Sequence, residues 1–163
     1  MPIEVTQPSD REVRVIRKFK APRNLVWDAH TKPELIQKWM LGPPGWSMPV
    51  CEMDVRVGGA YRWRWRNDAD GKEFGFFGDF TEVAKPSNLA HTQTYDPGDV
   101  GGSMDGGEPA IISTVFTEAN GETTLTLTML FSSKAVRDGA VATGMTDGME
   151  IGYERLDVIF AKA

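Results

Sequence analysis

Between Cys51 and Phe131 separate runs of apolar and polar residues alternate with a period of two. The strictest run is Tyr61-Arg62-Trp63-Arg64-Trp65-Arg66, which places aromatics on one side and arginines on the other. Successive side chains of a strand point to opposite faces, so such runs build half-buried strands. From Ser133 to Phe160 the period changes. Val141, Met145, Met149, Leu156 and Ile159 follow the three-to-four spacing of a helix. A sheet with one apolar face, followed by a long amphipathic helix, leaves the helix that face to cover. The expected class is α+β.

The rest of the chain fits this plan. Met1–Asp10 is polar and reads as a flexible, frayed start, so the domain is expected over 11–163. Glu12–Lys20 alternates through Val13, Val15 and Phe19 and reads as the first strand. Ala21-Pro22 breaks it and opens a short helix with Leu25, Val26, Trp27 and Ala29 on its apolar side. His30, at the end of that helix, reads as exposed. Thr31-Lys32-Pro33-Glu34 reads as a capping box for a second short helix through Trp39, stopped by Gly42-Pro43-Pro44-Gly45. Strands follow over Cys51–Val57, Tyr61–Arg66, Glu73–Val83 and Leu89–Tyr95. Asp96–Pro109 is a glycine-rich loop. Asn120-Gly121 then joins two more strands as a hairpin. The order is strand, two short helices, about six further antiparallel strands, one long helix; a chain of 163 residues suits one such domain.

Composition excludes several functions. The 18 Lys and Arg are outnumbered by 23 Asp and Glu, which argues against nucleic acid. No run approaches the ~18 apolar residues of a membrane span. Met1–Lys20 holds no apolar run of signal-peptide type, and the single Cys51 suits a reducing compartment, so a cytoplasmic protein is expected. One Cys and two His are too few for a Cys/His zinc site, so no metal or cofactor is expected. No G-x-S-x-G, P-loop or H-E-x-x-H run occurs, and no catalytic residue is nominated.

What remains is an apolar site. The aromatic stripe of β-alternation is either plain core or the wall of a ligand pocket. The expected lining is Trp46, Trp63, Trp65, Phe76, His91, Tyr95, Met145 and Met149. Gly144, Gly148 and Gly152 recur every four residues, on one helix face. They serve either close packing or the shaping of a cavity. A pair of His91 with Asp79 or Tyr95 would instead make the cavity an enzyme of cyclase or hydrolase type. Edge strands permit a monomer or a homodimer.

The run Ala21-Pro22 through Val26-Trp27, then Thr31-Lys32-Pro33-Glu34 to Trp39, resembles the Hsp-90 ATPase activator homologue-like proteins of the START/Bet v 1-like (SRPBCC) superfamily. Asp54–Tyr61, Gly78–Val83, and Thr143-Gly144-Met145 with Gly148-Met149 and Gly152-Tyr153 are similar to the same family's pattern. The resemblance implies a helix-grip fold, a curved antiparallel sheet of about six to seven strands wrapped on the C-terminal helix. It implies a cavity for an apolar or lipid-like small molecule between them. It also raises a chaperone ATPase-stimulating role as an alternative, which fold alone does not transfer. The family has no shared catalytic motif to carry over. The loop Asp96–Pro109 is longer and richer in glycine than the family's pattern implies.

Overall fold

In the computed structural model, which describes residues 2–100 and 108–162, the period-two runs are strands. They are β1 (Glu4–Thr6), β2 (Glu12–Phe19), β3 (Trp46–Met53), β4 (Ala60–Asn67), β5 (Glu73–Ala84), β6 (Asn88–Asp96), β7 (Ala110–Ala119) and β8 (Glu122–Leu130). All pair antiparallel in one sheet of order β1-β2-β8-β7-β6-β5-β4-β3. The sheet thus has eight strands. The added one is β1, inside the stretch that the sequence marks as a frayed start; it pairs with β2 from Glu4 opposite Ile16 to Thr6 opposite Arg14. β3 begins at Trp46, ahead of the expected Cys51. The register shifts between Ser47 and Val50 and between Phe80 and Glu82, and such irregularities bend the strands that carry them. At the β7–β8 hairpin Asn120 and Gly121 both take positive φ, 54° and 74°, as a tight two-residue turn requires. Of the glycine-rich loop Asp96–Pro109, residues 101–107 lie outside the described residues.

The helices are α1 (Arg23–Thr31), α2 (Pro33–Trp39), α3 (Lys134–Ala142) and α4 (Met145–Ala161). The expected capping box does not form. Lys32 is the N-cap of α2 and gives no side-chain bond, while the Thr31 hydroxyl donates to the Trp27 carbonyl at 2.9 Å. Thr31 still belongs to α1, so the carbonyl one turn back is its nearest acceptor. The helical stretch after Ser133 is also not continuous. Ser133 caps α3 by accepting from Val136 N–H at 3.2 Å. The helix then breaks at Gly144, whose φ of 79° lies in the left-handed region that glycine enters without strain.

The packing follows from which strand faces are apolar. The main core gathers Val15, Phe19, Tyr61, Trp63, Phe80 and Leu125 of the sheet, Trp27 and Trp39 of α1 and α2, and Tyr153 and Leu156 of α4. Tyr153 meets Phe19 edge-on at 5.4 Å and stacks on Trp39 at 5.7 Å, so α4 is gripped between sheet and α2. A second core under α3 holds Val13, Ala110, Ile112, Met129, Phe131 and Ala140. Arg17 of β2, 1% exposed, binds Asp157 through two 2.8 Å hydrogen bonds and Glu150 at 3.3 Å, both on α4. Glu150 also accepts the Ile3 backbone N–H at 2.8 Å, which ties the chain start to α4. None of the described helices is long and apolar enough to cross a membrane.

Candidate functional site

Antiparallel register carries the β4 aromatic stripe across the sheet. Trp63 faces Phe76 on β5 and Cys51 on β3, and Phe76 faces Tyr95 on β6. Residues directly opposite share a sheet face. His91 lies on the same face opposite Phe80, in the same register and just before the β5 irregularity. Of the expected lining, five residues therefore form one aromatic surface. Ring centroids lie 6.2 Å apart for Trp63 and Trp65, 5.8 Å for Trp65 and Phe76, 5.7 Å for Phe76 and Tyr95, and 5.8 Å for Trp63 and His91.

Trp46 joins only at the rim, through an edge contact with Phe74 at 5.4 Å. Phe74 is the residue the sequence reading passes over. It stacks on Trp65 at 5.7 Å and touches Tyr95 at 6.2 Å. Its position two residues from Phe76 is the period-two signal that marks it. Tyr61, at 4.5 Å from Trp63, closes the deep end. Burial is graded along the surface: Tyr61, Trp63 and His91 are buried, whereas Trp65, Phe74, Phe76 and Tyr95 are half-buried.

The α4 residues divide. Met149 packs against both cores, but Met145 packs against the second core only. The glycines divide further. Gly144 is the helix break and not part of a helix face. A Cβ on Gly152 would meet the Trp39 carbonyl oxygen at 3.1 Å and its ring at 3.2 Å, so this glycine serves close packing on α2. A Cβ on Gly148 would meet nothing within 4 Å. Gly148 lies one turn before Gly152 on the same side of α4, so open space begins where the Trp39 contact ends. Trp65 reaches over from β4 and donates its indole N–H to the carbonyl of Met40, just after α2, at 2.7 Å.

Two polar groups of this surface, Tyr61 and His91, are neutral and engage each other and the Thr92 carbonyl. The Tyr61 hydroxyl donates to the Thr92 carbonyl. His91 Nδ1 lies 3.0 Å from that hydroxyl and 3.1 Å from the same carbonyl. A carbonyl only accepts, so a bond from Nδ1 to it corresponds to the tautomer with the proton on Nδ1 and the lone pair on Nε2. Burial holds the His91 imidazole at about 4, well below the ordinary histidine range, so it is uncharged at neutral pH. Burial also raises the Tyr61 hydroxyl, with the Asp79 charge adding to it, and raises the Cys51 thiol to about 12.

Two expected features come out differently. Asp79 is exposed and lies opposite Ala60, on the other side of β5 from Phe80 and His91, so alternation keeps an Asp79–His91 pair from assembling. An open pocket of about 340 Å³ is lined by Lys20, Asp157, Phe160 and Ala161, at the C-terminal end of α4, and none of the expected lining residues borders it. On the opposite sheet face, Arg64 is engaged by Glu73 at 3.0 Å and Asp96 at 2.6 Å. Among the described residues no three His, Cys, Asp or Glu side chains cluster to hold a metal.

A family model described as "Activator of Hsp90 ATPase homolog 1-like protein" matches residues 20–161. No curated protein matches the chain. Among solved structures, a Rhodobacter sphaeroides protein is similar at 26% identity, with all of both chains covered and a TM-score of 0.89. An Arthrobacter aurescens protein has 20% identity over 100% of this chain and 94% of its own, at a TM-score of 0.84. A Mycobacterium smegmatis protein has 20% identity over 97% of this chain and 96% of its own, at 0.83.

Proposed function

The chain belongs to the activator of Hsp90 ATPase homolog 1-like family, with a helix-grip fold, and from that premise we propose that it binds an apolar or amphipathic small molecule between the sheet and α4. One observation carries the reading. Trp65, Phe74, Phe76 and Tyr95 form a contiguous aromatic surface that stays half-buried beside Tyr61, Trp63, Phe80 and His91, which are buried on the same face. Aromatic surface left partly in water at the mouth of a fold gains free energy when an apolar ligand covers it, at about 25 cal/mol per Å². The open space beside Gly148 supports the same location. Mostly apolar walls with few polar groups describe small-molecule sites in general. The neutral state of His91 supports binding over acid–base chemistry here. An intracellular setting belongs to this reading and is supported by the unpaired Cys51.

Gly148→Leu is the test. A leucine there fills the open space without touching the core, so uptake of an apolar naphthalene dye should fall at least tenfold while the melting curve stays cooperative. Undiminished dye uptake in that variant overturns the proposal. Native mass spectrometry of freshly purified protein adds a second reading, since a reproducible extra mass identifies what the site carries.

A further inference from the structure

We infer that the ligand is held by a neutral oxygen acceptor, a carbonyl or hydroxyl, placed against the indole N–H of Trp63. The inference rests on the ligand-binding reading above and narrows the class of molecule.

Two of the five tryptophans dispose of their N–H groups internally. Trp39 donates to the Ala29 carbonyl at 2.8 Å and Trp65 to the Met40 carbonyl at 2.7 Å. Trp63 differs. It is 7% exposed, and its Nε1 is buried with no acceptor among the described residues. Buried donors are paired almost without exception, because an unpaired one forfeits its bond to water. Trp63 sits at the inner end of the half-buried aromatic surface, next to Trp65 and His91. A ligand that penetrates past Trp65 on that surface would come next to the ring that carries this unused donor.

Charge decides which acceptor fits. The arginines that alternate with this stripe, Arg62, Arg64 and Arg66, project from the opposite sheet face. Arg17, the buried cation of the α4 side, is already engaged by Asp157, Glu150 and the Lys18 carbonyl. His91 is neutral. Arg155 of α4 donates to the Trp39 carbonyl at 3.3 Å, and among the described residues no cation is bonded at the Trp63 N–H, so a carboxylate or phosphate placed there would be desolvated. A ketone, ester or hydroxyl carries no such penalty.

The experiment compares 2-ethylnaphthalene, 2-acetylnaphthalene and 2-naphthoate at pH 7 by equilibrium dialysis. These differ only in the group offered to Trp63. The ketone should bind about tenfold more tightly than the hydrocarbon, the fold-change that one added neutral hydrogen bond typically supports. The carboxylate should bind most weakly. Trp63→Phe, which keeps an aromatic ring and loses the donor, should make ketone and hydrocarbon equal without weakening the hydrocarbon. An independent readout uses unaltered protein: the Trp63 indole N–H resonance should move downfield with the ketone and not with the hydrocarbon. Equal binding of ketone and hydrocarbon to the unaltered protein, or a stationary resonance with the ketone bound, overturns this inference and leaves the ligand-binding reading intact. Binding of none of the three overturns the ligand-binding reading, and the inference with it.

Discussion

Arg17 on β2 and Asp157 on α4 face each other through two parallel hydrogen bonds of 2.8 Å, inside an otherwise apolar grip. The sequence separation is 140 residues, and the pair binds the helix to the far side of the sheet from the aromatic surface. Arg17 also lies over the Phe19 ring at 5.0 Å, so the same guanidinium is packed as well as paired.

Removing one partner of this pair should cost more than a surface ion pair and less than a sealed one. Breaking a fully buried pair costs about 3–5 kcal/mol, because a charge is left uncompensated. Asp157 is 39% exposed and Glu150 remains on Arg17, so water and Glu150 offset part of the loss. Asp157→Asn should destabilise the fold by about 2 kcal/mol. Urea denaturation will show this as a lower midpoint at an unchanged slope. A midpoint equal to that of the unaltered protein would remove the pair from any account of stability.

Acid should weaken the fold through its two histidines. His91 and His30 both have native values of about 4 against an ordinary 6.5, because burial penalises the charged ring. His30 is packed between Trp39 at 5.0 Å and Phe116 at 5.3 Å, contrary to its expected exposure, and Val26 O engages its Nδ1 at 2.7 Å. Between pH 6.5 and 4 the unfolded chain takes up a proton at each position and the native fold does not. Unfolding is therefore favoured as pH falls through that window, by up to about 3 kcal/mol per histidine, and this contribution is flat above about pH 7 and below about pH 4. Urea midpoints at successive pH values measure it. His91→Asn, which retains a donor near the Nδ1 position, should reduce the slope by about half.

The two α4 glycines should respond in opposite directions. Gly148→Ala meets nothing within 4 Å and should gain up to about 1 kcal/mol from helix propensity. Gly152→Val would press branched methyls onto Trp39, whose carbonyl and ring already lie 3.1 and 3.2 Å from a first carbon there. Overpacking of this kind costs about 1–3 kcal/mol. Thermal melts of the two variants should move apart, Gly148→Ala upward and Gly152→Val downward. Parallel shifts would mean that the glycines share a role.

The strands were legible because alternation is a property of adjacent letters, and Tyr61-Arg-Trp-Arg-Trp-Arg66 admits no other element. The same rule brought Trp63, Trp65, Phe76, His91 and Tyr95 to one face, and applied evenly it would have added Phe74. Three things were not legible. Gly144, Gly148 and Gly152 are the same letter at the same spacing, yet one breaks the helix, one borders open space and one presses on Trp39. Only the backbone angle and the neighbour across the gap separate them. The capping box at Thr31 fails because α1 runs one residue further than the motif assumes. The unpaired N–H of Trp63 depends on where a carbonyl happens to lie, as the contrast with Trp65 and Met40 shows.

The pairing of β2 with β8 also sets the order of events while the chain is being made. β2 is complete at residue 19, but its partner spans residues 122–130. Through all the synthesis between, the nascent chain carries a strand of Val13, Val15 and Phe19 with an open edge. Local hairpins among β4–β7 can form as they emerge, but β2 cannot join β8 until residue 130 has left the ribosome, and the sheet cannot close around α4 until residue 161 has. Arg17 waits longer still for its carboxylate. Slow translation of the middle of this chain would therefore lengthen the time in which β2 can find the wrong partner.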